Sequence, residues 1–185
     1  MVDPDVRDAY EDGVDAVRLA ATTVDDWSTP TRCAGWRAVD LAGHLVLVVR
    51  MYDEHLARAA AGGVARFESA AKRRERNEAD LRSLPPSTGP QRIGAFLDTA
   101  RAYLRRVEAS PGLRYRREDH VLTAAEHLSS AAIEYHLHAW DLDPTRPAPP
   151  SAALLVAEWA RHLPFPIDRG GDPWRALLVA SGRTP

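Results

Sequence analysis

Residues 123–143 read TAAEHLSSAAIEYHLHAWDLD, and the reading of this stretch decides the fold. Thr123 and Glu126 stand three apart, the spacing at which each side chain satisfies an orphan N–H of a helix's first turn. Leu128, Ala132, Tyr135, Ala139 and Leu142 follow in alternating steps of four and three, the apolar stripe of a core-facing helix. One position around runs a second stripe with the same steps: His127, Ala131, Glu134, His138 and Asp141. At about 100° per residue these five share a narrow arc. Four polar groups so placed predict the wall of a polar pocket at the edge of a helical core. Glu134 and His138 are four apart, so their side chains lie one above the other. A carboxylate and an imidazole at that spacing can share a metal ion, or can simply pair with each other.

Upstream, three more segments carry the helical period. Asp3-Pro4 is a helix start, with Asp at the N-cap and Pro at the first turn. Val6, Tyr10, Val14, Val17, Ala21 and Val24 then mark a helix to about residue 24, in which Gly13 costs about 1 kcal/mol against Ala. WSTPTRCAGW at 27–36 is a connection broken by Pro30 and Gly35. A second helix is predicted over about 38–61, closed by Gly62-Gly63, with Leu41, Leu45, Val48, Tyr52 and Leu56 as its stripe. His44 lies in angle between Leu41 and Leu45, and Val48, Met51 and His55 continue its line. A histidine there is either a satisfied core residue or a ligand. The third long helix starts near Pro90, carries Ile93, Phe96, Leu97, Ala100, Tyr103, Leu104 and Val107, and ends at SPG, 110–112.

The segments between are weaker. Residues 64–84 predict a short, mostly solvated helix in which Phe67, Leu81 and Leu84 touch the core. Its Arg-rich part, 72–82, is interrupted by Glu75, Glu78 and Asp80, which argues against nucleic-acid binding. Residues 113–122 read as irregular or extended. After Asp143 a proline-rich connector leads to a helix over about 151–162, and Asp172-Pro173 opens a last short one that ends at Gly182. The expected fold is all-α: a four-helix bundle over about 4–143 with long connections, and one or two short extra helices over about 150–182. All of 1–185 is expected to form a single domain. No sheet beyond a short hairpin is expected. Such a bundle can bring His44 to the Glu134/His138 pair.

Composition narrows the function classes. With 24 basic and 26 acidic residues, net charge −2, the chain has no basic bias toward nucleic acid. Only one basic residue, Lys72, is a lysine, which points to a high-GC coding bias. Cys33 is the single cysteine, so no intramolecular disulfide is possible, and a reducing cytoplasm is expected. The acidic start lacks the apolar run of a signal peptide, and no stretch approaches the roughly 20 apolar residues of a membrane span.

Two motifs resemble the DinB-like superfamily, in its branch related to mycothiol-dependent maleylpyruvate isomerase. PTRCAGWRAVDLAGHL at 30–45 resembles that branch's Pro-Thr-x-Cys-x-Gly-Trp…Asp-Leu…His-Leu signature. IEYHLHAWDL at 133–142 resembles its Glu-x-x-x-His-x-Trp-Asp-Leu signature, and the closing DPWRALLVASGRTP looks like the last helix of single-domain members. The resemblance implies a DinB-like bundle holding a divalent metal, zinc foremost, on His44, Glu134 and His138. It also implies mycothiol, or a similar low-molecular-weight thiol, as co-substrate, held at the metal as thiolate. Two features depart from the pattern. Arg37 stands where related sequences place a capping Ser or Thr, and residues 1–185 are not expected to include the separate C-terminal domain of the full isomerase, so maleylpyruvate is not the expected substrate.

Three protein ligands leave a coordination position open, as in catalytic zinc sites. A thiol there loses its proton and becomes a nucleophile toward an alkene, an epoxide or an activated leaving group. The leading expectation is therefore an enzyme, a metal-dependent thiol S-transferase or thiol-cofactor isomerase acting on a small electrophile. Two alternatives stay open: a metal-binding tailoring enzyme of natural-product metabolism that uses no thiol, and a non-catalytic metal- or ligand-binding bundle. His127 and Asp141 are candidates for proton transfer or for supporting a ligand from behind. Met51 and His55 are candidate pocket contacts. Cys33 is expected to pack the connection between Trp27 and Trp36, and Trp36 and Trp140 to pack around the two motifs. The expected partners are a small-molecule substrate and the thiol, with no nucleic acid and no membrane, in a monomer or homodimer.

Overall fold

A computed structural model describes residues 1–62, 66–67, 70–117, 120–162 and 166–185 of the chain. Four long helices form a bundle: α1 (Pro4–Ala21), α2 (Ala38–Ala60), α4 (Gly89–Ala109) and α5 (Ala124–Leu142). Between them lie the shorter α3 (Ala70–Ser83) and the strands β1 (Arg66–Phe67), β2 (Arg114–Arg117) and β3 (His120–Thr123). Helices α6 (Ala152–His162) and α7 (Pro173–Ala180) close the chain. The fold is all-α, as expected.

The ends of these helices follow their local chemistry. Thr123 Oγ1 accepts from the Glu126 N–H at 3.1 Å while Glu126 Oε2 accepts from the Thr123 N–H at 2.8 Å, so the reciprocal cap of α5 forms. Asp3 Oδ1 accepts from the Asp5 N–H at 2.9 Å and caps α1. That helix ends at Ala21, three residues before the expected 24, because Thr22 and Thr23 turn their hydroxyls onto the carbonyls of Leu19 and Ala20 at 2.6 and 2.9 Å. At the start of α2 the capping Ser or Thr is replaced by two devices. The N–H groups of Ala38 and Val39 donate to the carbonyls of Thr29 and Trp27 at 2.9 and 3.0 Å, and Asp40 reaches back to the Arg37 N–H at 3.1 Å.

Helix α1 lies along α5 and α2 along α4, with further contacts between α2 and α5, α1 and α4, and α4 and α5. The α1–α5 approach explains Gly13: a methyl group there would meet the Ala132 carbonyl and Tyr135 Cβ at 3.3 Å, so the helix-weakening residue is what lets the two backbones close. Tyr10, Phe96, Tyr103 and Tyr135 fill the centre of the bundle. Tyr135 meets Phe96 and Tyr10 edge-on, with ring centroids 4.9 and 5.4 Å apart. The Tyr10 hydroxyl donates to the Ala100 carbonyl at 2.9 Å. Burying each such ring contributes about 1.5–3 kcal/mol, so this cluster sets the bundle's centre.

The stretch 113–122 is a hairpin that leads directly into α5. Tyr115 pairs with Leu122, both buried, while Arg114 and Val121 face out, the alternation of a half-buried strand pair. The sheet goes one step beyond the expected hairpin, since the two-residue β1 pairs parallel with β2. A strand that short leaves no periodic signal, and residues 66–67 read as part of a helix from sequence. Leu81 and Leu84 of the α3 region do rest on α2 at Gly43. The side chains of Phe67 and of Lys72, Arg73 and Arg74 lie outside the described residues.

Candidate metal centre

The site sits where α2, α5, the 27–37 connection and the C-terminal tail meet. The connection owes its shape to the PTRCAGW residues. The Thr31 N–H donates to the Trp36 carbonyl at 2.8 Å, and the Thr31 hydroxyl both donates to that carbonyl at 3.0 Å and accepts from the Cys33 N–H at 3.1 Å. Gly35 makes the reversal at φ 84°, a conformation L side chains disfavour. The outcome is a tight loop that lays Trp36 against His44, ring centroids 4.7 Å apart, and points Cys33 at the end of α5.

Two imidazoles converge on one carboxylate oxygen. His44 Nε2 and His138 Nε2 lie 3.3 and 3.5 Å from Glu134 Oε1. Their ring centroids are 5.0 Å apart, and one ligand atom from each of the three residues lies within 4.8 Å of the others. Both separations exceed a good N–H···O hydrogen bond of about 2.9–3.0 Å. They match the edge of a tetrahedron whose bonds are about 2.0–2.1 Å, which is about 3.3–3.4 Å. Both N···O spacings suit a divalent ion held by these three groups, whose two nitrogens lie within 4.8 Å of each other. The second carboxylate oxygen, Glu134 Oε2, accepts from the Tyr52 hydroxyl at 3.3 Å.

The two histidines are supported differently. His138 Nδ1 is 2.9 Å from Asp141 Oδ2. That oxygen also accepts from the Cys33 thiol at 3.0 Å and from Arg183 Nη2, while Asp141 Oδ1 accepts from Arg183 Nε at 2.8 Å. His44 Nδ1 is buried with no hydrogen-bond partner. Their titrations diverge accordingly. Burial pulls His44 below the usual histidine range, more strongly than Glu134 raises it. Burial also disfavours a charge on His138, but Asp141, then Cys33 and Glu134, outweigh it and hold that imidazole well above its usual range. Burial pushes Glu134 up, and the two histidines outweigh it and keep the carboxyl well below its usual range.

Cys33, His138 and Asp141 form a second group with ligand-type atoms close together. There the Arg183 guanidinium already rests on Asp141, so the place of a cation is filled.

The other sequence candidates fall elsewhere. His127 is 1% exposed and its Nδ1 is 3.1 Å from the Tyr103 hydroxyl. It is also seven residues, about 10 Å of helix, from Glu134. Along α2, Met51 and His55 stand about 10 and 16 Å from His44 by the same rise. Met51 is half-buried against the core and His55 is buried. Asp141 does join the cluster, behind His138. Cys33, expected only to pack its loop, is half-buried with its sulfur on Asp141. Trp140 is buried, with the Arg32 guanidinium 5.7 Å from its ring centre.

Sequence reading missed two members. Tyr52 was visible only as a core position, although it lies two helical turns from His44 on one face, which places its hydroxyl beside the same carboxylate. Arg183 carries no sequence signal linking it to residue 141.

Fold and site together define an all-helical bundle with a His-Glu-His cluster between two of its helices, its histidines buried and its carboxylate partly exposed. The chain belongs to the family described as the mycothiol maleylpyruvate isomerase N-terminal domain, which matches residues 7–143. No curated protein and no solved structure matches the chain. Among the described residues no helix is long and apolar enough to cross a membrane.

Proposed function

We propose that His44, Glu134 and His138 hold one divalent metal, zinc foremost, and that the protein is a mycothiol-type thiol S-transferase or thiol-cofactor isomerase acting on a small electrophile. The convergence of two imidazole nitrogens on Glu134 Oε1, at 3.3 and 3.5 Å, carries this reading. When bound, the metal supplies an open position and the positive charge that favours a thiol's anionic form.

This chain's residues prepare that position. Asp141 accepts from His138 Nδ1–H, so once the ring gives up its second proton Nε2 is the free nitrogen, aimed at Glu134. Tyr52 holds the far oxygen of Glu134 and is the hydroxyl beside the cluster that can keep or pass a proton. Trp36 covers one side of His44 and keeps water from it. Cys33 is engaged with Asp141, so the attacking sulfur comes from outside. The thiol and the electrophile are the proposed partners, residues 1–185 the proposed single domain, and the cytoplasm the proposed compartment.

Calorimetry of the zinc-loaded protein with mycothiol, run in two buffers of different ionisation enthalpy, tests the reading. Binding with proton release is expected. No binding, or binding unchanged by removing the metal, rejects the thiol-dependent activity and leaves the thiol-independent tailoring enzyme or the binding module.

A further inference from the structure

Asp141 is a buried carboxylate, 2% exposed, with both oxygens taken. Arg183 grips it as a fork: Nε donates to Oδ1 at 2.8 Å and Nη2 donates to Oδ2. The same Oδ2 faces His138 Nδ1 at 2.9 Å. A carboxylate held at both oxygens cannot rotate, and the ring bonded to it cannot turn. Arg183 lies forty residues beyond the end of the family match at 143 (183 − 143 = 40).

The tail is built to deliver this side chain. Helix α7 buries Trp174, Leu177 and Leu178 and packs on α6, which packs on α5. Its end is a tight reversal. The Ser181 N–H donates to the Leu177 carbonyl at 3.0 Å, the Gly182 N–H to the Val179 carbonyl at 2.9 Å, and the Arg183 N–H to the Leu178 carbonyl at 2.8 Å. Gly182 takes φ 83°, which turns the chain back toward α5. The Arg183 side chain is 14% exposed, so the fork is formed away from bulk water, where its two charge-assisted bonds count most.

We infer that Arg183 is a positioning residue for His138, acting through Asp141, so that the C-terminal segment outside the matched domain braces the ligand set from behind. The inference rests on the metal reading above. A lysine at 183 keeps the charge and loses the fork, which separates geometry from simple neutralisation of Asp141.

The test compares wild type, Arg183→Ala and Arg183→Lys by zinc competition against a chromophoric chelator and by the cobalt(II) absorption spectrum. In parallel, the His138 Nδ1–H resonance of the metal-free proteins is followed by nitrogen-15 NMR. Both variants are expected to bind zinc about 10- to 100-fold more weakly, the usual loss when a ligand's hydrogen-bond support is removed. The Nδ1–H signal should broaden or vanish in each. Millimolar guanidinium added to Arg183→Ala should recover part of the affinity. Wild-type affinity in Arg183→Lys would overturn the inference, since charge alone would then suffice. So would an unchanged resonance in both variants. If wild type itself takes up no zinc, the metal reading fails, and the metal-free resonance decides the positioning role alone. If Arg183→Ala does not fold, Arg183→Lys carries the same comparison.

Discussion

His44 and His138 present the same atom type to the same oxygen, yet the protein holds them in opposite ways. Behind His138 stand a carboxylate, a thiol and a guanidinium, drawn from three parts of the chain. Behind His44 stand an indole ring and no hydrogen-bond acceptor for Nδ1. The difference teaches that one imidazole is fixed in orientation by polar contacts behind it, while behind the other there is only packing. It also separates their charges, because burial without a partner keeps an imidazole neutral, whereas burial beside a carboxylate does not.

The largest expected effect tests whether both arms are needed. His44→Ala and His138→Ala should each reduce zinc from about one equivalent per chain to less than about a tenth after dialysis, because two remaining ligands no longer close a zinc site. Elemental analysis reads this directly, and a fully loaded variant would remove that histidine from the ligand set.

Next comes the polar arm alone. Asp141→Asn should weaken zinc binding about 10- to 100-fold with all three ligands still present. Chelator competition measures it. A loss below about twofold would mean that the carboxylate behind His138 has no part in metal binding.

A smaller effect concerns the opposite face of α5, where His136 Nε2–H donates to the Ala9 carbonyl of α1, 3.1 Å away. Burial lowers its pKa from 6.5 to about 4. The folded-state value lies below the unfolded one, so acid costs stability: below about 6.5 the unfolded chain takes up a proton that the folded chain refuses until about 4. Between pH 6.5 and 5.5 this amounts to about 1 kcal/mol. His138 has the opposite sign in the metal-free protein. Its raised value adds stability that is complete below the unfolded pKa and is lost as pH rises through the folded one. Urea unfolding of the metal-free protein at several pH values should therefore show a shallower acid loss in His136→Gln than in wild type. Equal slopes would place His136 in water-like surroundings.

The smallest effect tests the apolar arm. Trp36→Leu should weaken zinc binding only about two- to tenfold, since one aromatic contact is worth about 0.5–1.5 kcal/mol. Should it match Asp141→Asn in the same chelator titration, the contrast between the two histidines disappears.

Much of this protein was decided by sequence alone, wherever the signal was local and periodic. The steps of four and three on α5 carry the helix, its core stripe and its polar stripe together, and Thr123 with Glu126 sets its start. The Glu134/His138 pair is legible because i, i+4 neighbours on a helix have no freedom to point apart. The same periodicity put His127 on the polar stripe, but sharing a stripe fixes an angle around the helix and says nothing of what packs there, which is Tyr103 from α4. The start of α2, the hairpin's third strand and the length of α1 depended on hydrogen bonds between distant backbone groups or single hydroxyls, which leave no repeat to read.

Only the tertiary structure decided the surroundings of the candidate ligands. Tyr52 reads as core until α5 places Glu134 opposite its hydroxyl. Cys33 reads as loop packing until the Thr31–Trp36 closure turns its sulfur onto Asp141. Arg183 has no reading until α7 docks and Gly182 reverses the chain. Local sequence determines which way a side chain leaves its own helix. Whether a carboxylate there meets water, a cation or an imidazole depends on residues 42 to 108 positions away (183 − 141 = 42 and 141 − 33 = 108), which only the packing of the bundle brings together.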